Sequence, residues 1–370
     1  MILNYLGEKS MSVKFSMRQA AELGVCLVTI ATLILAGCGG GTSQENSVPV
    51  QTYTASAGIG EVLQFDIYPT KLTYSYTVMK TSYIASGVSA GQTATGALTD
   101  SGNGFYAVES SNDNFIQSGK LFPVKNGLLA GHIVINSLGG ANHIPVFGVS
   151  NPVTQLAALA GTYNFEGFGC SASGIANVSG NGACGTNYGT MSIDASGNVT
   201  KCNHGDITTE PTTNPCASKQ DRTLQIVSAT PGIFDFRDPS TGHVGWFFAF
   251  TAANGEKVAV IDNDDAATPV YGQAVLSTYA SAASGVVSGN YFKNDNKGAE
   301  ITLTVSGVAY SNNLGYTGTI TYNSPWNGLS TFSATSGVNT VTGIGMTTGT
   351  GAYTHLIDGE PQFFASGLKY

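Results

Sequence analysis

Apolar and polar residues alternate with a period of two in several stretches of this chain. In "KLTYSYTV" (71–78), Leu, Tyr and Val alternate with Thr and Ser, and "ITLTVS" (301–306) has the same pattern. Successive side chains of a β-strand point to opposite faces, so this alternation predicts strands with one buried face. The more continuous apolar run "KVAVI" (257–261) predicts a strand that is covered on both faces.

Short turn sequences rich in Gly and Asn separate these runs. Examples are "DSGNG" (100–104), "DASGN" (194–198) and "NDNKG" (294–298). Gly and Asn accept positive φ at little cost, which suits the tight turns of β-hairpins. Short strands with frequent turns predict an all-β protein of two or three antiparallel modules, each a barrel or a sandwich.

Two stretches have a helical pattern, and both are short connectors. They are "SNPVTQLAALAG" (150–161) and, more weakly, "QAVLSTYASAASG" (273–285). Each leads into a similar strand opening, "GTYNF" from Gly161 and "GNYFK" from Gly289, 128 residues apart. A single larger barrel made of the second and third modules is an alternative to three separate modules. The similarity of these two strand openings predicts modules over 52–150, 160–275 and 286–370.

The composition is typical of an extracytoplasmic β-protein. Only 10% of the 370 residues are charged, and 48 are glycine, whereas charged residues usually make up about a quarter of a chain. The net charge is −8, and it becomes −9 without residues 1–37, which hold three basic and two acidic residues. No basic patch is present that could neutralise phosphates, so we expect no nucleic-acid partner.

The first forty residues have the pattern of a secretory signal. Lys14 and Arg18 precede the apolar segment 23–36, which is shorter than the roughly 20 residues of a membrane-spanning helix. The segment ends in Leu35-Ala36-Gly37-Cys38, which resembles the lipobox of Gram-negative bacterial lipoproteins. That resemblance implies cleavage before Cys38 and acylation of its sulfur and its new amine. More than one acyl chain is needed for stable anchoring.

The same resemblance implies a lipid-anchored location at the outer membrane, on its periplasmic or its surface face. Gly39 stands where this family often has the Asp that marks retention in the inner membrane. Residues 1–37 are then the signal peptide, and 38–51 form a polar, glycine-rich tether. Met1, Met11 and Met17 are all compatible with the start of such a signal.

Four cysteines follow the lipobox: Cys170, Cys184, Cys202 and Cys216. An even number in an oxidising compartment predicts disulfides. Of the three pairings we favour the two local ones, 170 with 184 and 202 with 216, and each such loop stabilises by about 3 kcal/mol in the chain-entropy model. Zinc is the rival, because His204 follows Cys202 closely, but the chain has no C-x-x-C spacing.

The strand opening Gly161-Thr162-Tyr163 follows the short helical segment "LAALA" and is similar to the opening of lipocalin barrels. In that family a Gly-x-Trp strand follows such a turn, and Tyr163 stands here at the position of the Trp. The segment "DFRD" (235–238) is the candidate for the downstream motif with Asp and Arg. The resemblance implies a meandering barrel and a small apolar ligand.

Two sites are candidates for binding chemistry. Asp262, Asp264 and Asp265 follow the apolar run 257–261 and are the candidate metal ligands, although the Gly and the distal Glu of a calcium loop are missing. No metal site and no cofactor are therefore predicted. Trp326 is followed by Asn-Gly, which places it on a turn as the candidate ligand contact, with core packing as the alternative.

The chain has no nucleophile, metal or phosphate motif in a suitable context. We therefore interpret it as a non-catalytic lipoprotein that binds a small apolar ligand or a partner in the envelope or outside the cell. One alternative is a structural or adhesive surface lipoprotein. The other is a hydrolase of envelope polysaccharide, because the spacing of a catalytic carboxylate pair is spatial and cannot be seen in a sequence.

Overall fold

The strands form three closed antiparallel barrels of eight strands each. This confirms the prediction of an all-β protein built from antiparallel barrel-like modules with short helical connectors. The part of the chain described by the computed structural model contains no helix that is long and apolar enough to cross a membrane. Cys38 and the predicted signal peptide lie outside the described residues. The described residues are 49–83, 86–109, 115–124, 127–135, 143–171, 184–210, 212–265, 270–295, 299–360 and 363–370.

Barrel 1 is a meander in which each strand pairs with the next and the eighth pairs with the first. Residues 73–78 of the alternating stretch lie in its third strand, with Tyr74 and Tyr76 buried and Thr73 and Ser75 partly exposed, whereas Leu72 lies in the preceding turn and is exposed. Its strands are β1 (Gln51–Ser56), β2 (Val62–Tyr68), β3 (Thr73–Lys80), β4 (Thr93–Gly102), β5 (Phe105–Val108), β6 (Ile116–Val124), β7 (Leu128–Ile135) and β8 (His143–Val149).

Barrel 2 follows the short helix α1 (Leu156–Leu159) and closes where its first strand pairs with its last. Its interior is a separate apolar core that contains Phe165, Met191, Phe234 and Phe247. Its strands are β9 (Gly161–Ser171), β10 (Cys184–Ile193), β11 (Asn198–Asn203), β12 (Ser218–Ile226), β13 (Phe234–Asp238), β14 (Gly242–Thr251), β15 (Lys257–Asp265) and β16 (Val270–Thr278).

Barrel 3 follows the short helix α2 (Ser284–Val287) and closes by the same pairing of first and last strands. The stretch 301–306 alternates as predicted, because Ile301, Leu303 and Val305 are buried and the residues between them are exposed. Its strands are β17 (Gly289–Asp295), β18 (Glu300–Ser306), β19 (Ala309–Asn312), β20 (Thr317–Tyr322), β21 (Leu329–Ser336), β22 (Asn339–Thr347), β23 (Ala352–Ile357) and β24 (Phe364–Lys369).

The openings of barrels 2 and 3 share one local structure. Gly161 and Gly289 have φ of 152° and 153°, a conformation that suits only glycine. Two residues later the hydroxyl of Tyr163 donates to the carbonyl of Leu159, and that of Tyr291 donates to the carbonyl of Val287, both over 2.5 Å. The similarity between "GTYNF" and "GNYFK" therefore reflects a repeated hydrogen bond from a tyrosine hydroxyl. This bond fixes a short helix against the first strand of its barrel.

The prediction of a helix over 273–285 is wrong for most of that stretch. Residues up to Thr278 belong to β16, and the helix α2 begins only at Ser284. Strand β16 lies between β15 and β9, and its residues from Gly272 to Ser277 are all buried. A strand that is covered on both faces has a continuous apolar run, which cannot be told from a helix by periodicity alone.

Each barrel contacts the other two. Strands β1 and β8 of barrel 1 lie against β14 and β15 of barrel 2, and β7 and β8 lie against β17 and β24 of barrel 3. Strand β9 of barrel 2 contacts β22 and β23 of barrel 3. All eight residues of β7 are buried for this reason, since one face lines barrel 1 and the other packs against a neighbouring barrel.

Candidate functional site

One end of barrel 2 combines a cavity with a cation. Lys201 lies on β11, where it pairs with Met191 of the neighbouring strand and follows Val199 by two residues. Met191 and Val199 belong to the core inside barrel 2. Directly opposed residues of an antiparallel pair, and residues two apart on one strand, share a face of the sheet. Lys201 therefore points into the interior of the barrel.

The cavity beside Lys201 has a volume of about 250 Å³. Its apolar wall includes Phe165, Ile261 and Ala274, and its polar wall includes Asn187 and Asn263. Gly185 also lines the cavity, and a Cβ atom at this position would have no other atom within 4 Å. The missing side chain at Gly185, which is exposed, thus leaves open space at the edge of the cavity.

Lys201 faces this space and Arg222 lies nearby, and the partners of these two positive charges differ. The guanidinium of Arg222 lies 2.6 Å from the carboxylate of Asp238. The ammonium of Lys201 lies 4.7 Å from the ring centroid of Phe165 and has no carboxylate partner among the described residues. Burial, followed by the nearby charge of Arg222, lowers the pKa of Lys201 to about 8. The amine is therefore still mostly protonated at neutral pH.

An amide chain supports the polar wall of the cavity. The side-chain nitrogen of Asn187 donates to Asn203 over 2.8 Å, and Asn203 donates to Ser218 over 2.9 Å. The remaining amide oxygen of Asn187 is buried and has no hydrogen-bond partner in the described structure. A buried polar atom without a partner costs about 1–3 kcal/mol. The cavity therefore offers an acceptor as well as a cation.

Both disulfides lie at this end of barrel 2. Cys170 is bonded to Cys184 across the β9–β10 pair, and Cys202 is bonded to Cys216 just before β12. The two local bridges favoured from the sequence are therefore present, and the cysteines are not free to bind zinc. Lys201 and Gly185 each directly adjoin a bridged cysteine, so the bridges hold the strands that form the cavity.

The three candidate metal ligands do not converge on one site. They lie in strand β15, which continues beyond the apolar run 257–261 to Asp265. Asp262 and Asp264 point away from the interior of barrel 2, whereas Asp265 points to the opposite face, because successive strand residues alternate. Among the described residues, no group of three or more His, Cys, Asp or Glu side chains is placed to hold a metal ion.

Asp262 instead belongs to the contact between barrels 1 and 2, whereas Asp264 pairs with a histidine of barrel 2. Ser56 donates to Asp262 over 2.5 Å, and Asp264 lies 3.1 Å from Nε2 of His243. Asp235 lies 2.5 Å from Nδ1 of the same ring. Burial opposes the charge on His243, but its hydrogen bonds with Asp264 and Asp235 outweigh this effect and raise its pKa. The ring is thus hydrogen-bonded on both of its nitrogens by carboxylates of the neighbouring strands.

Glu61 is a second fully buried acid at this contact. It accepts a hydrogen bond from Thr81 over 3.2 Å. Burial raises the pKa of both Glu61 and Asp262 well above the usual range. The charge of Asp264 raises both pKa values further, and the charge of Asp262 also raises that of Glu61. Both side chains are completely buried. They therefore act in the packing of two barrels and do not line an accessible groove.

Trp326 is buried rather than open to solvent on its turn. Only 6% of the residue is exposed, its indole nitrogen donates to Asn164 of barrel 2 over 2.9 Å, and its ring stacks on that of Tyr188. The backbone carbonyl of the next residue accepts a bond from the Asn164 amide. The indole is thus part of the contact between barrels 2 and 3, which corrects the expectation of an exposed ligand-contact residue.

Lys201 is not among the candidate residues that the sequence pattern indicates. The segment "NVTKCN" contains the relevant pattern, because Lys201 follows Val199 by two residues and so shares its face of the strand, whereas Thr200 lies on the other face. The adjacent Cys202 concealed this pattern, because Cys202 is itself buried although it points to the opposite face of the strand. Which strand faces Lys201 across the barrel depends on closure of the sheet, and no local pattern encodes it.

Comparison with known proteins gives no family for the chain. No protein-family model matches it, and no curated protein matches it. One similar solved structure is a protein of unknown function of the DUF3598 family from Nostoc punctiforme, with 11% identity and a TM-score of 0.24, covering 62% of this chain and 94% of that one. Another is intact Ap-TbpB with its N and C lobes, with 9% identity and a TM-score of 0.19, covering 87% of this chain and 77% of that one. At these TM-scores neither similarity establishes a shared fold.

Proposed function

We propose that this protein is a lipid-anchored envelope protein that binds a small molecule inside barrel 2 and does not catalyse a reaction. The observation that carries the proposal is the ammonium of Lys201, which faces a cavity of about 250 Å³ without a carboxylate partner among the described residues. Ligand sites usually combine an apolar cavity with a few polar groups that orient the ligand. This cavity has apolar surface from Phe165, Ile261 and Ala274 beside the polar groups of Lys201, Asn187 and Asn263.

The cavity is preformed, which favours binding over a purely structural role for this barrel. Two disulfides bridge the strands at the cavity end, and the core of barrel 2 is complete below it. A site whose walls are already in place needs little ordering when a ligand enters. The volume lies just below the usual range of roughly 300–1,000 Å³ for ligand pockets, so a small ligand is expected.

The hydrolase alternative has no comparable support. Glu61 and Asp262 interact electrostatically, but both are fully buried between barrels 1 and 2. A glycosidase needs two carboxylates on either side of an accessible sugar. We therefore base the proposed function on barrel 2.

The binding site is tested by filling the cavity. The Gly185→Leu variant would place a large side chain in the open space, and Gly285→Leu in helix α2 is its matched control, because a Cβ atom there also meets no other atom within 4 Å. Native mass spectrometry of the full chain, after incubation with a small-molecule extract of the cells that make it, should show a bound species for the wild type and for Gly285→Leu. Loss of that species only in Gly185→Leu supports the site, and its retention there contradicts it.

The lipid anchor is tested at Cys38. The lipobox and the polar tether that follows it support lipidation at this residue. A palmitate analogue supplied to growing cells should label the wild type and Cys26→Ser, whose change lies in the apolar signal segment, but not Cys38→Ser. A Cys38→Ser protein that is still labelled and still fractionates with the outer membrane would contradict the anchor.

A further inference from the structure

We infer that the ligand of barrel 2 is a small organic acid whose carboxylate pairs with the ammonium of Lys201. This inference rests on the proposed function, because it names the class of molecule that would occupy the same cavity. Three properties of the cavity support it: an uncompensated cation, an apolar wall and a buried amide acceptor.

The uncompensated cation is the strongest of the three. An ammonium group that is removed from water is costly unless it is paired and hydrogen-bonded. Arg222, at the same end of the barrel, has such a partner in Asp238. Lys201 has, among the described residues, only the face of Phe165 at 4.7 Å. A ligand carboxylate would supply the missing charge and accept a charge-assisted hydrogen bond.

The rest of the cavity indicates the body of the ligand. Phe165, Ile261 and Ala274 form an apolar surface that suits an alkyl chain or a flat ring. The unpartnered amide oxygen of Asn187 would accept a hydrogen bond from a hydroxyl or amine on that body. The volume of about 250 Å³ limits the ligand to a short-chain or single-ring acid.

The net charge of the protein does not attract acids, so any preference for an acid must come from the cavity itself. The chain has a net charge of −8, so the protein as a whole repels anions weakly at low ionic strength. Attraction of an acid to barrel 2 therefore depends on the two cations of the cavity end, one of which is already neutralised. Removal of Lys201 alone should abolish the preference for an acid over an uncharged molecule of the same shape.

The test uses matched acids and amides. Isothermal titration calorimetry on the full chain would compare a series of acids, from butanoate to 3-phenylpropanoate, each with its primary amide. For the best-fitting acid we expect at least tenfold tighter binding than for its amide, because hydrogen bonds to charged groups contribute about an order of magnitude or more in affinity.

Variants then separate the inference from the proposed function. Lys201→Met should bind the acid no better than the amide while keeping the wild-type affinity for the amide, which also shows that the barrel is folded. Lys201→Arg should restore part of the preference, and Gly185→Leu should bind neither molecule. Equal binding of acid and amide by the wild type, or an unchanged preference in Lys201→Met, would overturn the inference and leave a binding barrel. Failure of every acid and every amide to bind would overturn the proposed function with it.

Discussion

Barrels 2 and 3 begin with the same hydrogen bond from a tyrosine hydroxyl to a helix carbonyl, but the surroundings of their interior lysines differ. Lys293 of barrel 3 is 2% exposed, and its ammonium lies 3.0 Å from Nε2 of His355. The His355 ring is in turn surrounded by the rings of Phe332, Tyr353 and Phe363. Lys201 of barrel 2 faces a cavity instead. The interior lysine is thus enclosed by a histidine and aromatic rings in barrel 3, whereas it lies beside a cavity in barrel 2.

The offset of 128 residues shows how the sequence produces this difference. When the two barrels are aligned at Gly161 and Gly289, Phe165 of barrel 2 occupies the position of Lys293 in barrel 3. In the same alignment Gly167 corresponds to Asp295. Gly167 lines the cavity, whereas Asp295 is a buried side chain that raises the pKa of Lys293 against the larger effect of burial. At these two positions barrel 2 has an aromatic residue and a glycine, whereas barrel 3 has two buried ionisable residues.

The largest expected effect is that of removing the lysine of barrel 3. Burial lowers the pKa of Lys293 to about 7. Between this value and the unfolded value of about 10.4, the unfolded chain binds more protons than the folded chain, so the free energy of unfolding rises with pH in this window. Lys293→Met should remove that dependence and stabilise barrel 3 at pH 7 by up to about 4 kcal/mol.

Hydrogen exchange followed by mass spectrometry of barrel 3 peptides at pH 7 measures this change, because it reports the opening of each barrel separately. Lys201→Met is the matched control, since Lys201 is less buried and its pKa falls only to about 8, and its effect on barrel 2 should be smaller. Weaker protection of barrel 3 in Lys293→Met would show that the contact with His355 outweighs the cost of burying the amine.

Much of the fold follows from local patterns in the sequence. Alternation at 71–78 and 301–306 predicts strands that the structure contains, and the similar openings at Gly161 and Gly289 reflect one repeated bond. Cysteine spacing led to the correct bridges. In each case the information lies within about fifteen residues, which is the range over which strand periodicity and loop closure act.

Features that depend on how one barrel meets another were not predicted. Asp262 and Trp326 have polar side chain atoms that bond to a neighbouring barrel, so their burial reflects contacts with residues 206 and 162 positions away. Strand β16 likewise shows no alternation of buried and exposed residues, because both of its faces are covered. The role of Lys201 depends on the sheet closing around it. No pattern within a single strand contains that information.

A second difference between the barrels is the location of the cysteines. All four cysteines after Cys38 lie in barrel 2, and each bridge joins residues 14 positions apart. Replacement of Cys170 and Cys184 together by alanine should destabilise barrel 2 by about 3 kcal/mol and leave barrel 3 unchanged. Hydrogen exchange of the two barrels measures both values, and the Cys202→Ala/Cys216→Ala variant is the matched control. Equal destabilisation of barrel 3 would mean that the two barrels unfold as one unit.

The smallest expected effect concerns the feature that the two barrels share. Tyr163→Phe and Tyr291→Phe each remove one buried hydroxyl that donates to a helix carbonyl over 2.5 Å. Since the bonds are equivalent, each variant should destabilise its own barrel by the same amount, about 1 kcal/mol. Tyr322→Phe is the control, because its hydroxyl makes a similar bond to the carbonyl of Gly307 at an exposed position and should matter less. Exchange rates in β9 and β17 measure the effect, and a loss in one barrel only would show that the repeated geometry does not have a repeated energetic role.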